Sequence, residues 1–234
     1  MTALSTTAAA DFAPWLIYPA TKPLARLLLC HGAGAPVQSE FLTRLAQQLA
    51  AVGVEVWARN FAYMQKSLQG QKQPPPKMAV LQQELQGWLA QLPTDLPLLL
   101  AGKSMGGRLA TLLLADGQPQ PVAVAAVVVY GYPFRPAAKK HLPLSAPELT
   151  SRVAHLSQLT VPTLLLQGQR DAFGGPDLIT PAEQANWPAL QLQWLAAGDH
   201  DLQTLKKQPL TQAQLIQQAA AQTREFIDAK ILAS

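Results

Sequence analysis

The sequence predicts an α/β fold with a mostly parallel, doubly wound sheet of about seven to eight strands and helices on both faces. Short, almost wholly apolar segments alternate with longer segments of helical period. Continuously apolar strands are typical of parallel sheets that are buried on both sides. The chain has 234 residues, 49% of them hydrophobic, which is enough for one sizeable core. We therefore expect a single domain over residues 1–234.

Strand and helix patterns follow each other along the chain. The first helical segment carries an apolar stripe, with Ser39 as its N-cap and Gly53 as its stop. The last helix is opened by Thr211, with Gln214 three residues later, which is the spacing of a capping box. The expected elements are, in order, strand 24–30, helix 39–52, strand 54–61, helix 78–92, strand 96–101, helix 105–115, strands 122–130, 161–167 and 190–195, and helix 210–232.

Composition and charge distribution argue against a nucleic-acid partner and against a membrane-spanning segment. The formal net charge is +4, but the two pairs of adjacent lysines, at 139–140 and 206–207, are isolated, so no nucleic-acid partner is expected. The longest apolar run, residues 122–130, is far shorter than the roughly 18 residues that a membrane helix needs. Residues 1–11 lack the charged and apolar regions of a signal peptide. We predict a cytoplasmic protein that does not bind membranes.

The strongest local signal is Gly-Lys-Ser-Met-Gly at residues 102–106, between a predicted strand and a predicted helix. Small residues on both sides of Ser104 let the chain turn sharply and lift the hydroxyl above the sheet. The turn also sets the serine at a helix N-terminus, which favours a developing negative charge. A phosphate-binding loop would need a glycine at position 97, where the chain has Pro97. The segment therefore predicts a nucleophilic serine.

A glycine-rich loop, His-Gly-Ala-Gly-Ala-Pro at residues 31–36, directly follows the first long apolar strand. Acyl transfer needs N–H groups aimed at the oxyanion, one of them from the residue after the nucleophile. We expect Met105 and Ala33 to supply these two N–H groups. His31 precedes the serine and lies within this loop, so it is expected to pack against the loop and not to act as the base.

Two later loops supply an acid and a base. Asp171 follows the strand at 161–167, and His200 follows the strand that ends near Leu195. Both loops lie at the carboxyl ends of strands, where open α/β sheets build their sites. The chain order Ser104, Asp171, His200 matches one arrangement of a serine, acid and histidine triad. We therefore predict these three as catalytic residues.

Other residues compete for the same roles. Aspartates that adjoin His200 in sequence usually point away from it, and a histidine in a helix before a strand is poorly placed to act as a base. The competing residues are Asp177, Asp199 and Asp201 for the acid, and His155 for the base, while His141 is expected to be a solvated surface residue.

Lys103 and Cys30 are also close to the predicted site. Lys103 could activate Ser104, but at this turn position a side chain more often faces away from the hydroxyl, and a structural ion pair is the alternative. Cys30 is the single cysteine, so no internal disulfide can form. Because it lies in an apolar strand, a buried, inert thiol is expected.

These segments resemble the α/β-hydrolase superfamily in its compact, dienelactone-hydrolase-like form. More narrowly, the chain resembles a small family related to a subunit of the NSL histone acetyltransferase complex. The resemblance covers residues 24–230 and implies the α/β-hydrolase fold, acyl-transfer chemistry and no particular substrate. Because some members of the narrower family act as complex subunits, a non-enzymatic function stays open. The matching stretches are His-Gly-Ala-Gly-Ala-Pro at 31–36, Gly-Lys-Ser-Met-Gly-Gly-Arg at 102–108, Gly-Tyr-Pro-Phe at 131–134 and Gln-Gly-x-Arg-Asp-x-Phe-Gly at 167–174.

Residues 131–160 are rich in proline and lack a long apolar pattern. They predict either a short cap over the site or an ordinary surface excursion. Gly34, Tyr132 and Phe134 are the candidate substrate contacts. We expect a shallow, open site that prefers short acyl chains.

The function predicted from sequence is that of a carboxylesterase-like serine hydrolase, which cleaves an ester or related acyl bond through an acyl-enzyme. No metal-ligand spacing is present, and neither a metal nor an organic cofactor is expected. Three alternatives stay open: a binding module or complex subunit of the same fold, a peptidase, and an acyltransferase. The expected partner is a small-molecule acyl substrate, and a protein partner or a homo-oligomer is not excluded.

Overall fold

The computed structural model describes residues 14–139 and 141–233, which form one seven-stranded sheet with helices on both faces. The prediction that residues 1–11 are no signal peptide lies outside the described residues. The strands are Leu16–Tyr18 (β1), Ala25–Cys30 (β2), Val54–Ala58 (β3), Leu98–Lys103 (β4), Ala126–Tyr130 (β5), Thr163–Gly168 (β6) and Leu190–Leu195 (β7). The helices are Glu40–Ala51 (α1), Ala62–Leu68 (α2), Met78–Leu89 (α3), Met105–Ala115 (α4), Pro147–Val153 (α5), Pro181–Gln184 (α6) and Gln212–Ile227 (α7).

The strand order is β1-β3-β2-β4-β5-β6-β7, and all neighbouring strands are parallel except β1 and β3. The direction of strand addition reverses between β2 and β4, which are adjacent in the sheet. Their register places Cys30 opposite Gly102, so the loops after these two strands leave the sheet side by side. Open α/β sheets bind ligands in the crevice at such a reversal.

The sheet is buried on both faces because side chains alternate along each strand. In β2, Leu28 and Cys30 pack in the cluster that contains α3 and α4. Leu27 and Leu29 pack in the cluster that contains α1 and α7. The predicted fold class, a mostly parallel sheet between two layers of helices, is confirmed.

Local signals mark the ends of two helices. Gly53 follows α1 with a φ of +88°, a conformation that glycine adopts without steric cost. Thr211 and Gln214 form the capping box that the sequence predicts at the start of α7. Ser39 occupies the N-cap position of α1, although its side chain makes no capping hydrogen bond.

Several short elements were not expected from the sequence. They include β1, with three residues, and α6, with four, and such lengths are too short for a periodic pattern to show. The strand predicted at 122–130 begins at Ala126, which is where its pairing with β4 starts. The strand predicted at 54–61 ends at Ala58, and Phe61 becomes the N-cap residue of α2.

The segment 131–160 packs along α4. The Tyr132 hydroxyl donates a hydrogen bond to the Arg152 carbonyl oxygen at 2.5 Å. The Phe134 ring stacks on Trp187, with ring centroids 5.7 Å apart. From the outer side of α4, Arg108 donates to the Ser151 carbonyl oxygen. These described residues of 131–160 therefore lie against α4, and both arrangements of the segment stay predictions.

None of the helices in the described part combines the length and the apolar character that crossing a bilayer requires.

Candidate active site

Ser104 occupies a sharp turn between β4 and α4. Its φ is +52° and its ψ is −115°, a left-handed conformation that is strained for any residue except glycine. The flanking glycines make the turn sterically feasible. A Cβ atom on Gly102 would lie 2.3 Å from the Gly106 carbonyl carbon, and one on Gly106 would lie 2.6 Å from the Cys30 carbonyl oxygen. The strained turn leaves Ser104 partly exposed at the carboxyl end of β4.

The two predicted oxyanion donors lie near this serine. Met105 is the first residue of α4, so its N–H belongs to the N-terminal groups that have no intrahelical acceptor. Ala33 lies in the loop after β2 and lines the same cleft as Ser104. The reversal of strand order brings the two backbone segments together. That both N–H groups serve an oxyanion above Ser104 stays a prediction.

His31 fixes the loop that carries Ala33. The ring is fully buried; its Nδ1 donates to the Gly32 carbonyl oxygen at 2.6 Å, and its Nε2 accepts from the Phe61 N–H at 3.1 Å. The Tyr63 hydroxyl donates to the Ala33 carbonyl oxygen at 3.0 Å. Burial lowers the pKa of His31 to about 4, so the ring is neutral. It packs against the loop as the sequence predicts.

Asp171 and His200 are joined by a short hydrogen bond. His200 Nδ1 donates to Asp171 Oδ2 at 2.7 Å, and the Asp171 side chain is fully buried. The other carboxylate oxygen, Oδ1, accepts from the Phe173 N–H at 2.7 Å. The bond to Nδ1 fixes the tautomer in which Nε2 carries the free lone pair. Within the described residues, no hydrogen bond joins that nitrogen to Ser104 Oγ, although both residues line the same cleft.

Gln167 is a site residue that the sequence interpretation missed. This fully buried amide donates from Nε2 to Asp171 Oδ2 at 2.8 Å and to the Gly174 carbonyl oxygen at 3.1 Å. Its Oε1 accepts from the Tyr132 N–H at 2.7 Å. A buried amide is stable only when its polar atoms are paired, and here the pairing orients the carboxylate. A glutamine at the end of an otherwise apolar strand was the available signal.

Gly131 and Phe173 enclose the His200 ring. Gly131 has a φ of +71°, and a Cβ atom there would lie 3.2 Å from His200 Nδ1. The Phe173 ring centroid is 4.3 Å from that of His200. The imidazole is therefore confined on both sides as well as hydrogen-bonded to Asp171.

The competing residues are paired with groups other than Ser104 and the His200 ring, and Asp201 Oδ1 lies 3.2 Å from Lys103 Nζ. Asp199 Oδ1 accepts from two backbone N–H groups of its own loop, those of Asp201 and Gln203. Asp177 lies 3.6 Å from an Arg135 nitrogen. His155 Nε2 lies 3.0 Å from Thr111 Oγ1, away from the cleft.

Cys30 is buried, and desolvation raises the pKa of its thiol to about 12. At neutral pH the thiol is therefore protonated and a poor nucleophile, in line with the sequence-based expectation. Groups of three or more metal-ligating side chains are absent from the part of the chain that the structure describes.

A cleft of about 580 Å³ opens at Ser104 and His200. Gly34 lines it, as the sequence predicts, whereas the other two candidate substrate contacts, Tyr132 and Phe134, are fully buried in the core instead. The two rings pack on each other, with centroids 4.7 Å apart, and Phe134 also stacks on Trp187. The lining residues are Gly32, Ala33, Gly34, Ala35, Ser39, Glu40, Phe41, Leu42, Lys103, Ser104, Phe173, His200, Asp201, Gln203 and Gln212.

Comparison with known proteins agrees with this architecture. A family model described as an alpha/beta hydrolase domain matches residues 23–228. Dienelactone hydrolase from Anabaena variabilis is similar in structure, with a TM-score of 0.63, 20% identity, and coverage of 92% of this chain and 91% of that one. Est1E from Butyrivibrio proteoclasticus, solved with ferulic acid bound, has a TM-score of 0.66 and 12% identity over 94% and 95% of the two chains.

Acyl-protein thioesterase 2 from Zea mays is also similar, with a TM-score of 0.56 and 18% identity over 94% of this chain and 99% of that one. At these identities the similarities show the fold alone. No curated protein matches the chain in sequence.

Proposed function

The chain belongs to the alpha/beta hydrolase domain family, and from that premise we propose that it is a serine hydrolase that cleaves a carboxylic ester or related acyl bond. The observation that carries the proposal is the 2.7 Å hydrogen bond from His200 Nδ1 to Asp171 Oδ2. This bond leaves Nε2 as the basic nitrogen of a ring that shares a cleft with Ser104. The esterase and thioesterase names of the structural neighbours support the same class.

In the proposed mechanism, Ser104 Oγ attacks the acyl carbon while His200 Nε2 takes the hydroxyl proton. The C–O bond to the leaving group then breaks, and the imidazolium returns the proton to the departing oxygen. Water, activated by the same nitrogen, hydrolyses the acyl-enzyme. Asp171 stabilises the imidazolium and holds the ring in the required tautomer.

The N–H groups of Met105 and Ala33 stabilise the oxyanion in this mechanism. Loss of one such donor in other hydrolases costs roughly 10²–10³ in kcat. Two features support this assignment here: Met105 opens α4, and the His31 and Tyr63 hydrogen bonds hold the loop that carries Ala33. The reaction uses neither a metal nor an organic cofactor.

A panel of p-nitrophenyl esters, with wild type and Ser104→Ala measured in parallel, tests the proposal. Wild type is expected to release p-nitrophenol with saturation kinetics, whereas Ser104→Ala is expected to fall to the background rate. Circular dichroism of both proteins controls for folding. Folded wild type with no turnover on any ester would favour the alternative: a binding module, or a complex subunit as in the NSL-related family that the sequence resembles.

A further inference from the structure

An ion pair between a buried lysine and an exposed aspartate lies beside the cleft and takes no part in the proposed mechanism. Lys103 is the last residue of β4, directly before Ser104, and Asp201 directly follows His200. Lys103 Nζ lies 3.2 Å from Asp201 Oδ1, and both residues line the cleft. We propose that this ion pair is a positioning device that holds the His200 loop against the nucleophile turn. The proposal rests on the serine-hydrolase function proposed above.

The Lys103 ammonium is held inside the protein at a desolvation cost. Its side chain is 7% exposed, whereas that of Asp201 is 63% exposed. The side-chain stem runs past Gly32, and the nitrogen lies 5.7 Å from the centre of the Phe41 ring. Burial lowers the pKa of Lys103, and the Asp201 carboxylate opposes that shift. A buried cation is tolerated only with such a partner, so the pair constrains both loops more than an exposed pair would.

Each partner is one residue away from a reacting group. Ser104 and His200 come from loops that are far apart in sequence, so their separation depends on contacts between those loops. The Lys103–Asp201 pair joins the two loops at the positions next to the nucleophile and the base. Misplacement of reacting groups by about 1 Å can cost of order 10²-fold in rate. The pair therefore contributes to turnover by fixing the distance between Ser104 Oγ and His200 Nε2.

The pair also places two opposite charges in the cleft that the His200 ring lines. Among the described residues that line the cleft, Lys103 is the one that carries a positive side chain. Glu40, at the start of α1, forms its own ion pair with Arg44 at 2.6 Å. The charged groups that line the cleft or contact the ring and its loop are Asp171 and Arg170 on the loop after β6, Lys103 on β4, Glu40 on α1, and Asp199 and Asp201 on the ring's own loop.

This arrangement predicts opposite electrostatic effects from the two halves of the pair. Lys103→Met leaves the Asp201 carboxylate unbalanced beside the ring, which favours the imidazolium. Asp201→Asn leaves the Lys103 ammonium without its counter-charge, which disfavours the imidazolium. The acid limb of the kcat/KM–pH profile is therefore expected to move to higher pH in Lys103→Met and to lower pH in Asp201→Asn. A loss of folding would not produce shifts of opposite sign.

The same two variants are expected to share one kinetic defect. Each should lower kcat by of order 10²-fold while KM changes far less, because the reacting groups are misplaced and substrate binding is retained. The double variant should be no worse than either single variant, since both remove one interaction. Lys103→Arg keeps the charge and should restore most of the rate. Asp201 is largely exposed, so Asp201→Asn is expected to fold even if a Lys103 variant does not.

Arg26→Met is the matched control. Arg26 is a buried cation on β2, at the opposite end of the sheet, and its guanidinium pairs with Glu55 and Asp95 at 2.7 Å each. Its loss should lower stability and leave kcat and the pH profile unchanged. An equal kcat loss in Arg26→Met would show that the Lys103 defect is one of general stability, and would overturn the proposal.

Imidazole NMR of the His200 ring separates this proposal from the proposed function, because it needs no turnover. Titration midpoints that move up in Lys103→Met and down in Asp201→Asn support the coupling even if wild type hydrolyses no ester. Any one of three results would overturn the positioning role of the pair. These are additive kinetic losses in the double variant, no recovery of rate in Lys103→Arg, and titration midpoints that move in the same direction in the two single variants.

Discussion

At the scale of single residues, the orientation of the His200 ring depends on groups that are distant from it in sequence. Asp171 binds Nδ1, and Gln167 in turn holds the carboxylate of Asp171. Gly131 leaves room for the ring on one side, and the Phe173 ring packs against it. Together these contacts leave Nε2 available to the serine, as a general base requires.

Asp171→Asn tests the choice of acid. An amide at this position would stabilise the wrong imidazole tautomer and remove the charge that stabilises the imidazolium, so esterase turnover should fall by roughly 10⁴-fold. Asp199→Asn is the comparison, because an amide oxygen can still accept the N–H groups of Asp201 and Gln203. It should cost far less in kcat. If steady-state kinetics gave the reverse order, the wrong carboxylate would have been assigned.

Gly131→Ala tests the steric support of the ring. The added methyl would lie 3.1 Å from the His200 carbonyl oxygen and 3.2 Å from Nδ1, so the histidine must shift. We expect kcat to fall about 10-fold or more through misalignment. Gly117→Ala is matched to it: its φ of +70° carries the same backbone strain, but no atom lies within 4 Å of the added methyl. That variant should lose stability alone, and equal kcat losses in the two would refute the steric explanation.

The residues that the sequence predicts differ in kind from those it misses. Ser104, Asp171 and His200 each follow a predicted strand, and such patterns are visible locally. Gln167 leaves one local signal, a polar residue at the end of an apolar strand, whereas its contact with the Tyr132 N–H and the contact of Gly131 with His200 join distant segments and leave none. Tyr132 and Phe134 follow a strand end as pocket residues do, but the fold of 131–160 over α4 turns both rings into the core.

At the scale of elements, the placement of the segment 131–160 determines how the cleft is enclosed. Its described residues pack on α4, and none of them lines the cleft at Ser104. The walls come instead from the loop after β2, the start of α1 and the loop of His200. Several of these residues are polar or charged, among them Lys103, Asp201 and Gln212.

This enclosure predicts a preference for short acyl chains. A buried methylene contributes at most about 0.8 kcal/mol, and only where a pocket encloses it. We expect kcat/KM to peak at two to four carbons in a p-nitrophenyl ester series from two to twelve carbons, without activation at lipid droplets. A steady rise in kcat/KM up to the longest chain would reveal a deep acyl tunnel and contradict this description of the cleft.

At the scale of the whole molecule, two buried neutral histidines link stability to pH. Desolvation lowers the pKa of both His31 and His155 to about 4. In the unfolded chain, histidine titrates near pH 6.5, so between pH 6.5 and 4 the unfolded chain binds more protons than the folded one. The free energy of unfolding should therefore keep the full contribution of the two neutral histidines above pH 6.5. Between pH 6.5 and 4 it should fall on acidification, by at most about 1.4 kcal/mol per pH unit for each histidine.

Urea unfolding from pH 7.5 to pH 4 measures this effect. His155→Gln should give a shallower dependence of the unfolding free energy on pH, because one titrating group has been removed. His141→Gln is the matched control, because His141 is exposed and its replacement should leave the dependence unchanged. An unchanged slope in His155→Gln would mean that this ring does not stay neutral in the folded protein.

A fluorophosphonate probe, with mass mapping of the adduct, measures whether the molecule presents an activated serine at the β4–α4 turn. The reagent reacts with a serine whose hydroxyl is made nucleophilic by a neighbouring base. We expect one adduct, on Ser104, which is lost in Ser104→Ala and strongly slowed in His200→Ala. An adduct on a different serine, or no adduct on folded wild-type protein after long incubation, would contradict this expectation.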